Sequence, residues 1–212
     1  MGSRPSQTPL FPLDPGDPWY FERRAYRRGF RRIAGADEAG RGPLAGPVVA
    51  AAVVLPWDID LQGVRDSKLL SPAQRESCYD RICSVAAAIG VGVVSPEDID
   101  RLNILAASLE AMRLAIIQLD PLPDFVIVDG PWPVTVRLSQ RPLKHADRLS
   151  ISVAAASIVA KVHRDALMLS YHKHYPRYNF ARNKGYGTRE HRAALERFGA
   201  CPLHRRTFRG VR

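Results

Sequence analysis

Val48 to Leu55 reads Val-Val-Ala-Ala-Ala-Val-Val-Leu, an apolar run with no polar interruption. A strand of this kind has no face to offer water, so it has to lie inside a sheet covered on both sides. Phe125-Val126-Ile127-Val128 is a second such run and ends in Asp129, and the shorter Ile33-Ala34-Gly35-Ala36 ends in Asp37. Helical patterns separate the runs. Ser71-Pro72-Ala73-Gln74 combines an N-cap serine, a proline at the first helical position and a Gln that closes a capping box. That helix is predicted to reach about Ala87, with a strand near Ile89 to Val94 after it. Ser95-Pro96-Glu97-Asp98 repeats the start signal, and Leu102, Leu105, Leu109, Met112 and Ile116 then recur at helical spacing, which predicts one long amphipathic helix. A second long helix is expected from Ser150 to about Tyr171, with Ala154, Ala155, Ala156 and Ser157 allowing close approach to a neighbour. A last helix is expected from Thr188 to Phe198, stopped by Gly199. Strands alternating with helices give an α/β layer architecture.

A chain of 212 residues, 46% hydrophobic, suits one well-cored domain. The longest apolar run falls far short of the ~20 residues that cross a bilayer, so no membrane association is expected. Cys78, Cys83 and Cys201 show neither disulfide-framework nor zinc spacing, which makes a reducing cytoplasmic setting the default. The net charge of +10 is unevenly placed. Residues 1–144 carry equal numbers of acidic and basic side chains, whereas residues 145–212 carry 14 basic against four acidic. A basic segment on a neutral body is the footprint of nucleic-acid binding. Residues 1–30 read as a disordered Pro/Arg-rich tail, and the Arg-rich stretch Arg23 to Arg32 as a solvated lead-in helix, with contact to a backbone phosphate as the alternative. Residues 31–212 form the domain, its basic helical part lying at about 172–212.

Three acidic positions share a setting: Asp37-Glu38 and Asp129 end apolar strands, and Asp147 immediately precedes a helix. Ligands of open α/β sheets gather beyond the carboxyl ends of strands, so these acids can meet. Carboxylates ~5 Å apart repel by roughly 3 kcal/mol per pair at an effective dielectric of 20, which protons or cations must offset. Oxygen-only donors favour Mg²⁺ or Mn²⁺, and two such ions suit in-line phosphoryl displacement. Each acid taken singly could instead cap a helix or turn a loop, but Asp37-Glu38 followed by Gly-Arg-Gly exceeds what capping requires. His163, His172, His174, His191 and His204 read as surface or structural residues, since no pair has the spacing of metal ligands.

The stretch Asp37-Glu38-Ala39-Gly40-Arg41-Gly42-Pro43-Leu44-Ala45-Gly46-Pro47 resembles the opening motif of the ribonuclease HII family. Asp66-Ser67-Lys68, Val128-Asp129-Gly130, the stretch from Ser152 to Asp165, and Lys184-Gly185-Tyr186-Gly187-Thr188 with His191 are similar to further family motifs, in family order. The resemblance implies an RNase H-like fold: a five-stranded mixed sheet flanked by helices, with a helical C-terminal extension. It implies an endonuclease that hydrolyses the RNA strand of RNA/DNA hybrids and cuts 5′ of single ribonucleotides embedded in duplex DNA. The products expected are 3′-hydroxyl and 5′-phosphate ends, and the cofactor a pair of Mn²⁺ or Mg²⁺ ions. Carried over, Asp37, Glu38, Asp129 and Asp147 are the catalytic acids; Asp37, Glu38 and Asp129 are the metal ligands, and Asp147 serves the second ion. Gly40, Arg41, Gly42 and Tyr186 are expected to grip the ribonucleotide, and Lys68 and Lys184 to contact phosphates. A monomer is expected. The family usually has Lys two residues before its last acid; here His145 holds that place and Lys144 is shifted by one.

Ribonuclease HIII differs by an extra domain before the core and a Gly-Thr-Gly loop. Another RNase H-like nuclease, such as a junction resolvase or transposase, lacks the Gly-Arg-Gly and Tyr186 motifs. A non-catalytic basic RNA-binding protein would account for the charge, but clustered acids would repel its ligand.

Overall fold

The computed structural model describes residues 16–57, 59, 61, 63–64 and 70–211. Five strands, β1 (Ile33–Ala39), β2 (Val48–Val54), β3 (Ala88–Val94), β4 (Phe125–Asp129) and β5 (Ser139–Leu143), form one mixed sheet. Their order is β3-β2-β1-β4-β5. β2 runs antiparallel to both β1 and β3, while β1–β4 and β4–β5 are parallel. The helices are α1 (Tyr20–Arg27), α2 (Pro72–Val85), α3 (Pro96–Leu102), α4 (Ile104–Ile117), α5 (Ile151–His174), α6 (Phe180–Asn183) and α7 (Arg189–Phe198).

The period-2 alternation of strands sorts the two layers. Val48, Ala50, Ala52 and Val54 of β2 pack with Ala34 and Ala36 of β1, Val126 and Val128 of β4, and the buried face of α4. Ala51 and Val53 face the other way, onto α5 and α2. Every residue of β2 is buried, as its unbroken apolar run requires. On the α5 side, Gly35 lets the helix approach closely: a Cβ there would stand 2.2 Å from the Ser152 backbone. Asp37 and Asp129 share this face, because Gly35 and Ile127 precede them by two.

Start and stop signals are realised where they were read. Ser71 and Gln74 exchange both capping-box hydrogen bonds at the head of α2. Thr188 caps α7, and Gly199 ends it at φ 70°. α5 continues to His174, about one turn beyond Tyr171.

Two expectations are corrected. The single long helix after Ser95 is two helices, broken at Asn103 with φ 71°. The Asn103 Oδ1 accepts from the amides of Leu105 (3.0 Å) and Ala106 (3.1 Å), which starts α4 afresh. The segment assigned to a disordered tail over residues 1–30 includes α1, which docks on the body. Trp19 and Ala25 are buried, and Glu22 accepts from Ser150 Oγ at 2.5 Å and from the Ser152 amide at 3.0 Å, at the N-terminus of α5. A carboxylate there satisfies an amide that has no partner within the helix and meets the positive end of the helix dipole. Residues 1–15 lie outside the described residues.

The C-terminal helices close over one end of the sheet. Tyr178, Phe180, Ala194 and Cys201 pack with Met168 of α5 and Ala45 of the loop after β1. The chain then returns to that loop, with the Gly46 amide donating to Leu203 O (2.8 Å) and the Arg205 amide to Leu44 O (2.9 Å). That contact places the end of the chain beside the carboxyl ends of β1 and β4.

Candidate active site

A cavity of about 330 Å³ opens at the carboxyl ends of β1 and β4 and is lined by Asp37, Glu38, Asp129, Gly40–Gly42, Ser157, Lys161 and Tyr186. The strand register brings the acids together. The last paired residues of β1 and β4 are Ala36 and Val128, so Asp37 and Asp129 are equivalent positions one step further along parallel neighbours. Glu38 reaches the same cavity from the end of its strand.

Each carboxylate is held on one side. Asp37 Oδ1 accepts from the Glu38 amide at 2.7 Å, and the Ser157 hydroxyl of α5 donates to its side chain. Glu38 Oε1 accepts from Arg41 Nη1 at 3.3 Å. Asp129 Oδ1 accepts from the Ala146 amide at 2.7 Å. Burial holds the Asp37 carboxyl well above the usual carboxylate range, and the charges of Glu38 and Asp129 push it further up. Burial also raises Glu38, with Asp129 adding to the shift and Arg41 opposing it. Such a cluster keeps its ionised form only with cations beside it.

Asp147 sits in a 3-10 turn, Ala146–Arg148, and is buried. It follows the residue whose amide binds Asp129, yet it is not among the residues lining the cavity. The structure thus gathers three of the four expected acids around one space and sets the fourth in the adjoining turn.

Gly40, Arg41, Gly42 and Tyr186 line the same cavity. A Cβ on Gly42 would lie 3.8 Å from the Tyr186 ring, so the loop and the tyrosine are in van der Waals reach. Tyr186 is 44% exposed, which leaves its ring free to meet a ligand.

A sequence model of the family described as Ribonuclease HII matches residues 34–211. The chain belongs to the ribonuclease HII family. It is similar to the Ribonuclease HII of Geobacter sulfurreducens, 57% identical over 194 residues that cover 92% of this chain and 89% of the relative. It is also similar to that of Syntrophobacter fumaroxidans, 54% identical over 196 residues covering 92% of this chain and 84% of the relative. Among solved structures, the ribonuclease H2 of Pyrococcus horikoshii OT3 superposes with a TM-score of 0.72 at 28% identity, covering 85% of this chain and 95% of the other. As a ribonuclease HII the chain is an endonuclease acting on the RNA strand of RNA/DNA hybrids.

For a ribonuclease HII, the two lysines are less informative than the acids. Lys184 does not line the cavity: its Nζ donates to Ala181 O at 2.7 Å, and burial lowers its pKa. Lys68 lies outside the described residues. Two lining residues had no site role assigned from sequence: Ser157, read there only as a small residue for helix packing, and Lys161, four apart on α5. That spacing puts them on one helix face, the signal that would have found them. Lys161 pairs with Asp165 at 2.7 Å and brings a cation to the cavity wall.

Among the described residues, no three Asp, Glu, His or Cys side chains already stand in a closed metal-binding geometry, and no helix is long and apolar enough to cross a membrane. The donor set nevertheless fits hard divalent ions: the acids lining the cavity are all carboxylates, with no His or Cys beside them.

Proposed function

We propose that this ribonuclease HII cuts 5′ of single ribonucleotides embedded in duplex DNA as well as within RNA/DNA hybrids, leaving 3′-hydroxyl and 5′-phosphate ends. Asp37, Glu38 and Asp129 would hold divalent ions, with Asp147 serving the second. When bound, a pair of Mn²⁺ or Mg²⁺ ions supplies water activation and charge neutralisation for an in-line phosphoryl displacement.

The observation that carries this reading is the shared cavity, where three carboxylates face a glycine loop and an exposed tyrosine. The rest follows from the residues themselves. Ser157 and the Glu38 amide fix one side of Asp37, and the Ala146 amide fixes Asp129, so both acids present their remaining oxygens in a set direction. The ribose 2′-hydroxyl is the group that separates RNA from DNA at the cut, and the glycines let the backbone of residues 40–42 approach it. The Tyr186 ring can stack on the adjoining sugar or base while its hydroxyl hydrogen-bonds. The basic last third of the chain holds the duplex backbone, and a monomer suffices for all of these roles. The three cysteines are unpaired, which suits a reducing cytoplasm.

The test is incubation with a DNA duplex bearing one ribonucleotide, with and without Mn²⁺. Cleavage 5′ of the ribonucleotide only when metal is present is expected. Binding of the duplex without cleavage in Mn²⁺ would contradict the proposal and favour a non-catalytic RNA-binding protein.

A further inference from the structure

Arg164 of α5 and Arg205 near the C-terminus are 1% and 0% exposed, although both belong to the segment whose basic residues read as nucleic-acid contacts. Among the described residues no carboxylate lies within ion-pair distance of either guanidinium. Both spend their donors on backbone carbonyls instead. Arg205 Nη2 donates to Gly40 O at 2.6 Å, its Nη1 to Arg41 O at 2.9 Å and its Nε to Gly46 O at 2.9 Å. Arg164 donates to Pro47 O (3.0 Å), Lys184 O (3.0 Å) and Ala45 O (3.2 Å). Two like charges in one interior are costly, and burial together with the Arg164 charge pushes Arg205 down to about 9, so it stays protonated at neutral pH.

The geometry of the peptide unit gives this arrangement a consequence. In a trans peptide the N–H points opposite to the C=O of the same unit, and the peptides here are trans. With the Gly40 and Arg41 carbonyls turned inward to Arg205, the amides of Arg41 and Gly42 are turned away from it, in a loop whose residues line the cavity. Among the described residues none accepts from either amide. Arg164 adds a constraint on the same loop: a Cβ at position 40 would stand 2.1 Å from its Nε, and Gly40 sits at φ +101°. The first glycine of the loop is thus matched to a buried arginine as much as to a ligand.

We propose that Arg205, backed by Arg164, is a positioning residue that aims the Arg41 and Gly42 amides at the ribose and so sets the discrimination between ribonucleotide and deoxynucleotide. This rests on the loop's assignment to the ribonucleotide under the proposed function. Lysine at position 205 keeps the charge but cannot bridge two successive carbonyls with a rigid fork.

The experiment uses the full chain and two duplexes identical except for one ribonucleotide. In Arg205→Lys, kcat/KM for cleavage at the ribonucleotide is expected to fall about 10- to 100-fold, the loss of one or two hydrogen bonds. Affinity for the all-DNA duplex is expected to stay at the wild-type value. A folded Arg205→Lys that cuts as well as wild type overturns the positioning role. A second measurement needs no variant: in the wild-type protein with Ca²⁺, the amide proton resonances of Arg41 and Gly42 should shift downfield with the ribonucleotide duplex and not with the all-DNA duplex. Equal shifts with both overturn the inference even if Arg205→Lys does not fold. Wild type that cuts no ribonucleotide-containing duplex in Mn²⁺ overturns the proposed function together with this inference, whereas cutting by wild type with unchanged discrimination in Arg205→Lys overturns the inference alone.

Discussion

Asp37 and Asp129 stand side by side at the carboxyl ends of two parallel strands, one residue beyond the pairing of Ala36 with Val128. The relationship comes from sequence position and strand pairing together: each acid directly follows an apolar run, and the register of those runs fixes where the acids meet. A slip of one residue in either strand would send one carboxylate to the opposite face. The α5 layer then supplies the Ser157 hydroxyl to Asp37, and the turn before α5 supplies the Ala146 amide to Asp129.

Replacing Asp37 by Asn is expected to abolish cleavage while duplex binding stays near wild type, because binding rests on the basic C-terminal third. The variant should be as stable as wild type or more stable at neutral pH without metal, since burial and the charges of Glu38 and Asp129 act against the ionised form of Asp37. Cleavage and binding assays beside a thermal melt check all three outcomes.

The same carboxyls make metal binding compete with protons. Their raised pKa values favour protonated, metal-free acids at lower pH. Mn²⁺ should therefore raise the melting temperature more at pH 7.5 than at pH 5.5, and the increment should vanish in Asp37→Asn. Calorimetric scans with and without the ion at both pH values read this directly.

Tyr186→Ala is expected to impair cutting at a lone ribonucleotide far more than it affects stability. At 44% exposure the ring contributes little packing, and an exposed substitution changes stability by about 0.5 kcal/mol or less. Single-turnover rates compared with the melting temperature separate the two effects.

His191 and His204 are fully buried and joined Nε2 to Nε2 at 3.0 Å. The Cys201 amide donates to His204 Nδ1 at 3.0 Å, which leaves the His204 proton on Nε2 and the His191 proton on Nδ1, facing Tyr186 O at 2.9 Å. Both rings are neutral in this chain of bonds. Burial, with the neighbouring His191, brings His204 down from 6.5 to about 4. Because the unfolded chain takes up the proton first, the stabilisation is complete above pH 6.5 and is lost as pH falls towards 4, on the order of 3 kcal/mol. Chemical denaturation across pH 4–7 should show that loss, and His204→Asn should flatten the profile.

Much of this site was legible in the sequence, because strand ends and glycine loops are local signals. Asp37, Glu38, Asp129, the Gly40–Gly42 loop and Tyr186 line one cavity as their motifs implied. What escaped depends on direction in space. The leucine spacing runs unbroken through Asn103, so the helix break left no mark in the periodicity. Glu22 stands next to the arginine-rich stretch and carries no motif of its own, yet it is buried at the head of α5. Arg164 and Arg205 contribute to the net charge of the last third, and only the fold shows that they face inward.

The most direct test of the converging carboxylates is anomalous scattering from crystals soaked in Mn²⁺. Two peaks are expected in the cavity, one bounded by Asp37, Glu38 and Asp129 and the second reached by Asp147. Manganese bound elsewhere, with none between Asp37 and Asp129, would contradict the assignment.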